Sequence, residues 1–343
     1  MNEDRHGPGT LNPKGFTRRG FLFAGLGGVA LAAAGLYLWP KIFRRKWREP
    51  AFIAKVPNYR ADIAGVIVSG LKELGVSPEE IRGKRILLKP NLVETDPGAI
   101  HINTHPAVVY GAAQAFLRLG AGQVIVAEGP GHCRDTLLLL EESGLAEMLW
   151  NDRIPFIDLN YDQGYSTENV GRYSSLTNLT FPETLRQVDW VVSLAKLKTH
   201  HWAGVTLSMK NLFGVMPGIY YGWPKNVLHF AGIDEAILDI VCALRPQFAI
   251  VDGIVGMEGD GPIMGTPKPA GVLVMGRNLP AVDATCARIM GVDPHRVRYL
   301  AEAGRRLGPV HAAEIIQVGE PVASVRTDFK LLDKIPAHRG LRL

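Results

Sequence analysis

From about residue 50 onward, apolar positions along this chain alternate between short unbroken runs and stretches of helical spacing. Residues 52–56 read as a strand, and Ile63, Val66, Ile67 and Leu71 place one apolar face on a helix over 60–74, with Gly75 as its stop. Ser77-Pro78-Glu79-Glu80 carries an N-cap residue, a proline at the first helical position and acids in the first turn. Residues 85–89 form a strand running into Pro90-Asn91, 107–119 a helix closed by Gly120, and 123–127 a strand ending in Glu128-Gly-Pro-Gly-His132-Cys-Arg134. Strand, helix and strand at this spacing make a βαβ unit, hence parallel strands in a covered sheet. The polar residues after those strands, Asn91, Glu128 and His132, fall where open α/β sheets bind ligands.

The same rhythm continues with a helix over 136–150, a strand over 155–158 and a polar hairpin or irregular excursion over 161–182. An apolar run at 190–195 predicts a buried strand that ends at a functional edge, Lys196-Leu-Lys-Thr-His-His201. Further on come a helix over 233–244, a strand over 248–253, a strand over 271–275, a helix over 280–290 and an isolated strand signal at 315–318. The alternation predicts an α/β protein with mostly parallel sheets covered by helices, in two lobes, 50–185 and 186–343, with the site between them.

At 343 residues, 47% of them hydrophobic and 21% charged, the chain has the composition of a globular protein with an ample core. The net charge of +5 is misleading, because residues 41–48 alone hold five cations. The folded body therefore lacks the basic excess of a nucleic-acid binder. Cys133, Cys242 and Cys286 are far apart and too few for a thiolate zinc or iron–sulfur site. Residues 1–49 read as an address: Arg18-Arg19-Gly20-Phe21-Leu22 is similar to a twin-arginine signal, and the apolar run 20–39 is long enough to serve as a membrane anchor. The expectation is export to the periplasmic side through the twin-arginine machinery, with the body tethered or released.

The chemistry concentrates in residues 189–229, which hold Lys196, Lys198, Lys210, Lys225, His200, His201 and His229 but only one acid, Asp189. Glycines and prolines break helix and strand there, so the segment is loop-rich and cationic, suited to a small anionic molecule or a cofactor. His200 and His201, adjacent on a strand, are expected to face opposite ways. Asp252, Glu258 and Asp260 could hold a hard cation or cap turns. Neither Gly129-Pro-Gly131 nor Gly259-Asp-Gly-Pro262 matches a dinucleotide or Walker pattern, and no Gly-x-Ser-x-Gly elbow occurs.

From residue 86 to 293 the chain resembles the family called domain of unknown function 362. The resemblance rests on Leu88-Lys-Pro-Asn-Leu-Val, the Glu128-Gly turn, Lys196-Leu-Lys-Thr-His200, Met209-Lys210-Asn211-Leu-Phe-Gly214 and Val251-Asp252-Gly253. Some relatives carry a fused ferredoxin-like segment, whose cysteines this chain lacks. The same stretch is more faintly similar to the lactate racemase superfamily, which uses a nickel-pincer nucleotide. There a histidine is followed ten residues on by a lysine that binds the cofactor covalently, then by a Pro-Gly-Ile turn and a metal-binding histidine. Here His200, Lys210, Pro217-Gly218-Ile219 and His229 follow that order, although Leu207-Ser208-Met209 stands where that family has a glycine pair. The residues and the two resemblances together assign His132, His200 and Lys210 to catalysis, Asn91, Lys196, Lys198, Lys210 and Asn211 to an anion or cofactor, and His229 to a transition metal. The implied activity is racemase- or epimerase-like, on a carboxylated metabolite. The alternative is a non-catalytic, membrane-tethered accessory subunit with a redox partner protein.

Overall fold

The computed structural model describes residues 48–96, 98–131 and 135–343. The paired arginines, the apolar run 20–39, most of the basic cluster, and His132, Cys133 and Arg134 lie outside the described residues. Eleven strands occur among those described: β1 (Glu49–Lys55), β2 (Arg85–Pro90), β3 (Gln123–Glu128), β4 (Phe156–Asp158), β5 (Gly164–Glu168), β6 (Asn178–Pro182), β7 (Trp190–His200), β8 (Gly204–Thr206), β9 (Phe248–Glu258), β10 (Thr266–Gly276) and β11 (Ile315–Gly319). Nine of them form one sheet in the order β11-β1-β10-β9-β7-β2-β3-β4, with β8 paired to the end of β7. The block β9-β7-β2-β3-β4 is parallel throughout. β10 runs antiparallel to both β9 and β1, and β11 lies parallel to β1 at the edge. Strands β5 and β6 make a separate antiparallel hairpin.

Successive residues of the central strands alternate between two hydrophobic clusters. Ile86, Leu88, Val192, Leu194 and Ile250 join one, packed with the helices Ile63–Glu73 and Pro106–Arg118. Leu87, Val191, Ala195, Ala249 and Val251 join the other, with the helices Ile233–Leu244 and Leu279–Ile289. A parallel sheet needs both faces covered, which is why these strands read as unbroken apolar runs. The α/β class with a mostly parallel, helix-covered sheet is as expected. The boundary expected at 185/186, however, passes through one continuous sheet, since β2 from before it hydrogen-bonds to β7 from after it.

Three elements depart from the pattern. The helix expected over 136–150 is two, Thr136–Glu142 and Leu145–Asn151, because Gly144 sits at φ 73° and turns the chain between them. Strand β7 does not stop at Ala195 but continues, buried at every position, to His200. Strand β9 likewise runs past Gly253 to Glu258. Among the described residues, no helix is long and apolar enough to cross a membrane.

Candidate functional site

From β2 the chain winds outward in one direction, to β3 and β4, and from β7 in the other, to β9 and β10. The carboxyl ends of β2 and β7 therefore flank a topological switch point, where open α/β sheets leave a crevice. A cavity of about 460 Å³ opens there, walled by Lys89, Glu128, Lys198, His200, Lys210 and His229 among others. That is a volume suited to a small-molecule ligand.

Beneath the cavity lies a saturated polar frame. Lys89 Nζ, 1% exposed, donates to Glu128 Oε2 at 2.5 Å, to the Pro90 carbonyl at 2.7 Å and to Asn211 Oδ1 at 3.1 Å. The Asn211 amide returns hydrogen bonds to the Lys89 carbonyl and Ser193 Oγ, each at 3.0 Å. Burial depresses the Lys89 ammonium, and the carboxylate of Glu128 opposes that. Gly214 seals the frame: a Cβ there would collide with Glu128 Oε1 and the end of Lys89. Asn211, expected to touch a ligand, spends all its side-chain hydrogen bonds inside this frame.

Lys196 is also spent. It is fully buried, donates to Asp252 Oδ2 at 2.8 Å and to the Tyr59 hydroxyl at 3.0 Å, and takes no part in the cavity wall. Asp252 accepts in addition from Tyr59, the His105 N–H and the Ile254 N–H. A charge pair this deep is tolerated because both carboxylate oxygens and two of the three ammonium hydrogens have partners, with the Tyr59 ring beside the third. The Lys196–Asp252 pair ties β7 to β9, and neither residue is free to bind anything else.

Lys198 differs. It is fully buried on the cavity wall, yet its Nζ meets only carbonyls, Ile102 at 2.8 Å and Pro262 at 3.2 Å. Desolvation, then the neighbouring Lys196, Lys210 and Lys89, push this ammonium far down. Lys210, on the helix Ser208–Asn211, has no hydrogen-bonding partner among the described residues and packs its Nζ 3.9 Å over the Phe213 ring. Burial, reinforced by Lys89, lowers its ammonium to about 7. Lys225, in a left-handed conformation at φ 65°, donates to Asn160 Oδ1 and to the Met216 carbonyl and is lowered to about 7 by burial. Two further wall atoms are buried without a partner, Thr206 Oγ1 and Asn91 Oδ1.

The three described histidines of the wall are not equivalent. His200 Nδ1 accepts the backbone N–H groups of Trp202 at 3.0 Å and Ala203 at 3.2 Å, so its ring proton sits on Nε2. Burial, reinforced by Lys210, drives His200 well below its ordinary value and keeps it neutral. His201 and His229 do the reverse: Nδ1–H donates to the Gly261 carbonyl at 2.8 Å and to the Lys225 carbonyl at 3.1 Å, leaving Nε2 a free lone pair on each. Burial and Lys210 lower His229 as well. His200 and His201 do not face opposite ways. β7 ends at His200, the chain turns, and both rings reach the same cavity with centroids 4.9 Å apart.

The structure thus brings Asn91, Lys198, His200, Lys210 and His229 to one wall. It withdraws Lys196 into the core and leaves Asn211 on the lining with its amide engaged in the frame, and His132 lies outside the described residues. For a metal, His229 has the right tautomer, with its second nitrogen held by a carbonyl, whereas the Nε2–H of His200 does not. Among the described residues no group of three or more His, Cys, Asp or Glu side chains could hold a metal ion. The described donors therefore do not fit a metal held by protein side chains alone. Sequence reasoning missed Thr206 and undervalued His201. The signal for Thr206 was the short β7–β8 hairpin, which sets it opposite Lys198.

Comparison with known proteins shows the family. Residues 86–288 match the model of the family described as domain of unknown function (DUF362). The thylakoid-associated protein sll1697 of Synechocystis is 30% identical over 269 residues, which span 76% of this chain and 80% of that protein. Among solved structures, the lactate racemase apoprotein from Thermoanaerobacterium thermosaccharolyticum aligns with a TM-score of 0.40 and 13% identity, over 71% of this chain and 58% of that one. A Thermotoga maritima protein of known crystal structure aligns with a TM-score of 0.38 and 10% identity, over 62% of this chain and 55% of that one. The chain spans little more than half the length of either solved structure.

Proposed function

The chain belongs to the DUF362 family, and from the cavity at its sheet's switch point we propose that it is an enzyme acting on a carboxylated metabolite by proton transfer at the carbon next to the carboxylate. One observation carries the reading: Lys198 and Lys210 both face the cavity, and among the described residues neither forms an ion pair with a carboxylate. A cation buried without a counter-ion is costly, and an anionic ligand removes that cost. The histidine tautomers supply the rest. His229 and His201 offer basic Nε2 atoms, while the Nε2–H of His200 is a donor. In the reaction the C–H bond breaks and its proton passes to an imidazole Nε2. The electron pair moves into the carboxylate, and the resulting enolate is held by Lys198 and His200. Return of the proton to the same or the opposite face gives exchange or racemisation.

The test is solvent exchange. Incubated with a panel of short carboxylic acids in deuterium oxide, the protein is expected to catalyse deuterium uptake at the α-carbon, read by proton NMR, and His229→Ala and Lys210→Met to lose it. If the wild-type protein neither binds nor exchanges any acid of the panel, the reading fails. The arginine pair, the apolar run 20–39 and the thylakoid association named for the relative support an exported, membrane-associated protein. Removal of residues 1–47 is then expected to shift it from the membrane fraction to the soluble one.

A further inference from the structure

The wall of the cavity is divided by chemistry. On its inner side Lys198 and Thr206 are cross-strand partners of β7 and β8, so their side chains stand next to one another on the same face. His200, two residues along β7, projects from that face as well. Lys198 directs two hydrogens to the Ile102 and Pro262 carbonyls, and when protonated against a bound anion it has a third to give. Thr206, 4% exposed, has a hydroxyl with no partner among the described residues, and His200 keeps its Nε2–H. Three donors share this face, and among the described residues nothing receives their remaining hydrogens. Of the acids on the wall, Glu128 is held by Lys89 and Asp260 lies 3.6 Å from Lys334; Glu94 is the third.

Toward solvent the wall turns apolar. Phe213, Ile263, Trp202 and Met264 line it, and Trp202 and Met264 remain 58% and 79% exposed at the rim. Trp202 is fixed there edge-on to His201 and His229, with centroids 4.7 and 5.3 Å away. A three-carbon acid would displace roughly the volume of three waters, on the order of 100 Å³, and would leave most of the 460 Å³ cavity unfilled. Water left along those apolar side chains is a lost opportunity for burial, which a longer ligand recovers.

Building on the proposed carboxylate chemistry, we propose that the substrate is an amphipathic monocarboxylate, its head on Lys198, Thr206 and His200 and its hydrocarbon or aryl tail running out past Phe213 to Trp202 and Met264. The tail selects the substrate, and the head places its α-carbon beside the histidines.

Titration calorimetry with straight-chain acids from acetate to decanoate, each below its micelle concentration, tests this on the full chain. Affinity is expected to rise about fourfold for each methylene added until the tail reaches the rim. Trp202→Ala and Met264→Ser are expected to flatten that rise, and Lys198→Met to abolish binding across the series, with folding of each variant confirmed by circular dichroism. Octyl glucoside, with the same tail and no charge, is expected to bind at least tenfold more weakly than octanoate. If acetate and octanoate bind equally well, the tail site is wrong and the carboxylate reading stands. If octyl glucoside binds as tightly as octanoate, the Lys198 head site is wrong. If no acid binds, both this inference and the reading beneath it fall.

Discussion

Lys210 lies within reach of a ligand, and its chemistry departs far from that of a free lysine. Its ammonium, lowered to about 7 by burial and by Lys89, is largely a free amine at the pH where an ordinary lysine is fully protonated. Acylation of Lys210 by a small amine-reactive reagent, followed by peptide mass spectrometry, should therefore show a half-maximal rate near pH 7, with surface lysines lagging by several pH units. An inflection near pH 10 would contradict the burial argument. Stability carries the same signature. Because the folded value lies below that of the unfolded chain, the unfolded state binds more protons between about pH 7 and 10, and this group makes folding more favourable as the pH rises through that window. Lys210→Met should remove one such contribution, while Lys225, also at about 7, continues to supply another. The sequence showed a cluster of cations but could not rank them. Lys89 and Lys196 are neutralised by Glu128 and Asp252, which lie 39 and 56 residues away along the chain, and only the fold reveals those pairings. Lys198, Lys210 and Lys225, all on the cavity wall, have no such carboxylate partner among the described residues.

At the scale of elements, the helix Ser208–Asn211 is what aims Lys210, and it is too short to hold itself. Its N-cap residue, Leu207, offers no side-chain acceptor. Asp283, from the middle of the helix Leu279–Ile289, supplies one instead: it accepts the Ser208 N–H at 2.8 Å, the Ser208 hydroxyl at 2.5 Å and the Met209 N–H at 3.0 Å. A buried acid thus caps a helix that is remote in sequence, and burial raises that acid to about 7. Asp283→Ala strands three buried donors, so a loss of about 1–3 kcal/mol is expected in chemical denaturation, together with loss of the pH 7 inflection at Lys210. A variant as stable as the wild type, still labelling at pH 7, would show that the helix needs no such cap. The elements themselves were legible where one physical rule decided them: the parallel strands by their two-sided burial, and the helix Pro106–Arg118 by its spacing and its glycine stop. They were illegible where a distant partner decided them. Strand β7 runs on through two lysines because Asp252 and the carbonyls of Ile102 and Pro262 receive their ammonium groups in the core. A composition reading ends the strand at the first charge.

Across the whole molecule, the cavity depends on strands drawn from both halves of the chain. β2 and β3 come from before residue 185 and β7 from after it, and they lie side by side in the sheet. Strand β1, near the start of the body, is clasped between β10 and β11 from near its end. Each of the two main hydrophobic clusters takes residues from both halves as well: Leu87 and Val251 belong to one, Ile86 and Ile250 to the other. Opening either half would expose the shared strand edges of the other and break the Lys89–Asn211 hydrogen bonds across the floor of the site. Neither half retains a complete core, so partial unfolding gains little chain entropy for what it exposes. The body is therefore expected to unfold in one transition. Far-UV and near-UV circular dichroism should give superimposable denaturation curves, with calorimetric and van't Hoff enthalpies in agreement. A saturating carboxylate ligand at about 100 times its Kd should raise the whole transition by about 2.7 kcal/mol. Two separated transitions, with only one of them shifted by ligand, would mean that the cavity is built by one half alone.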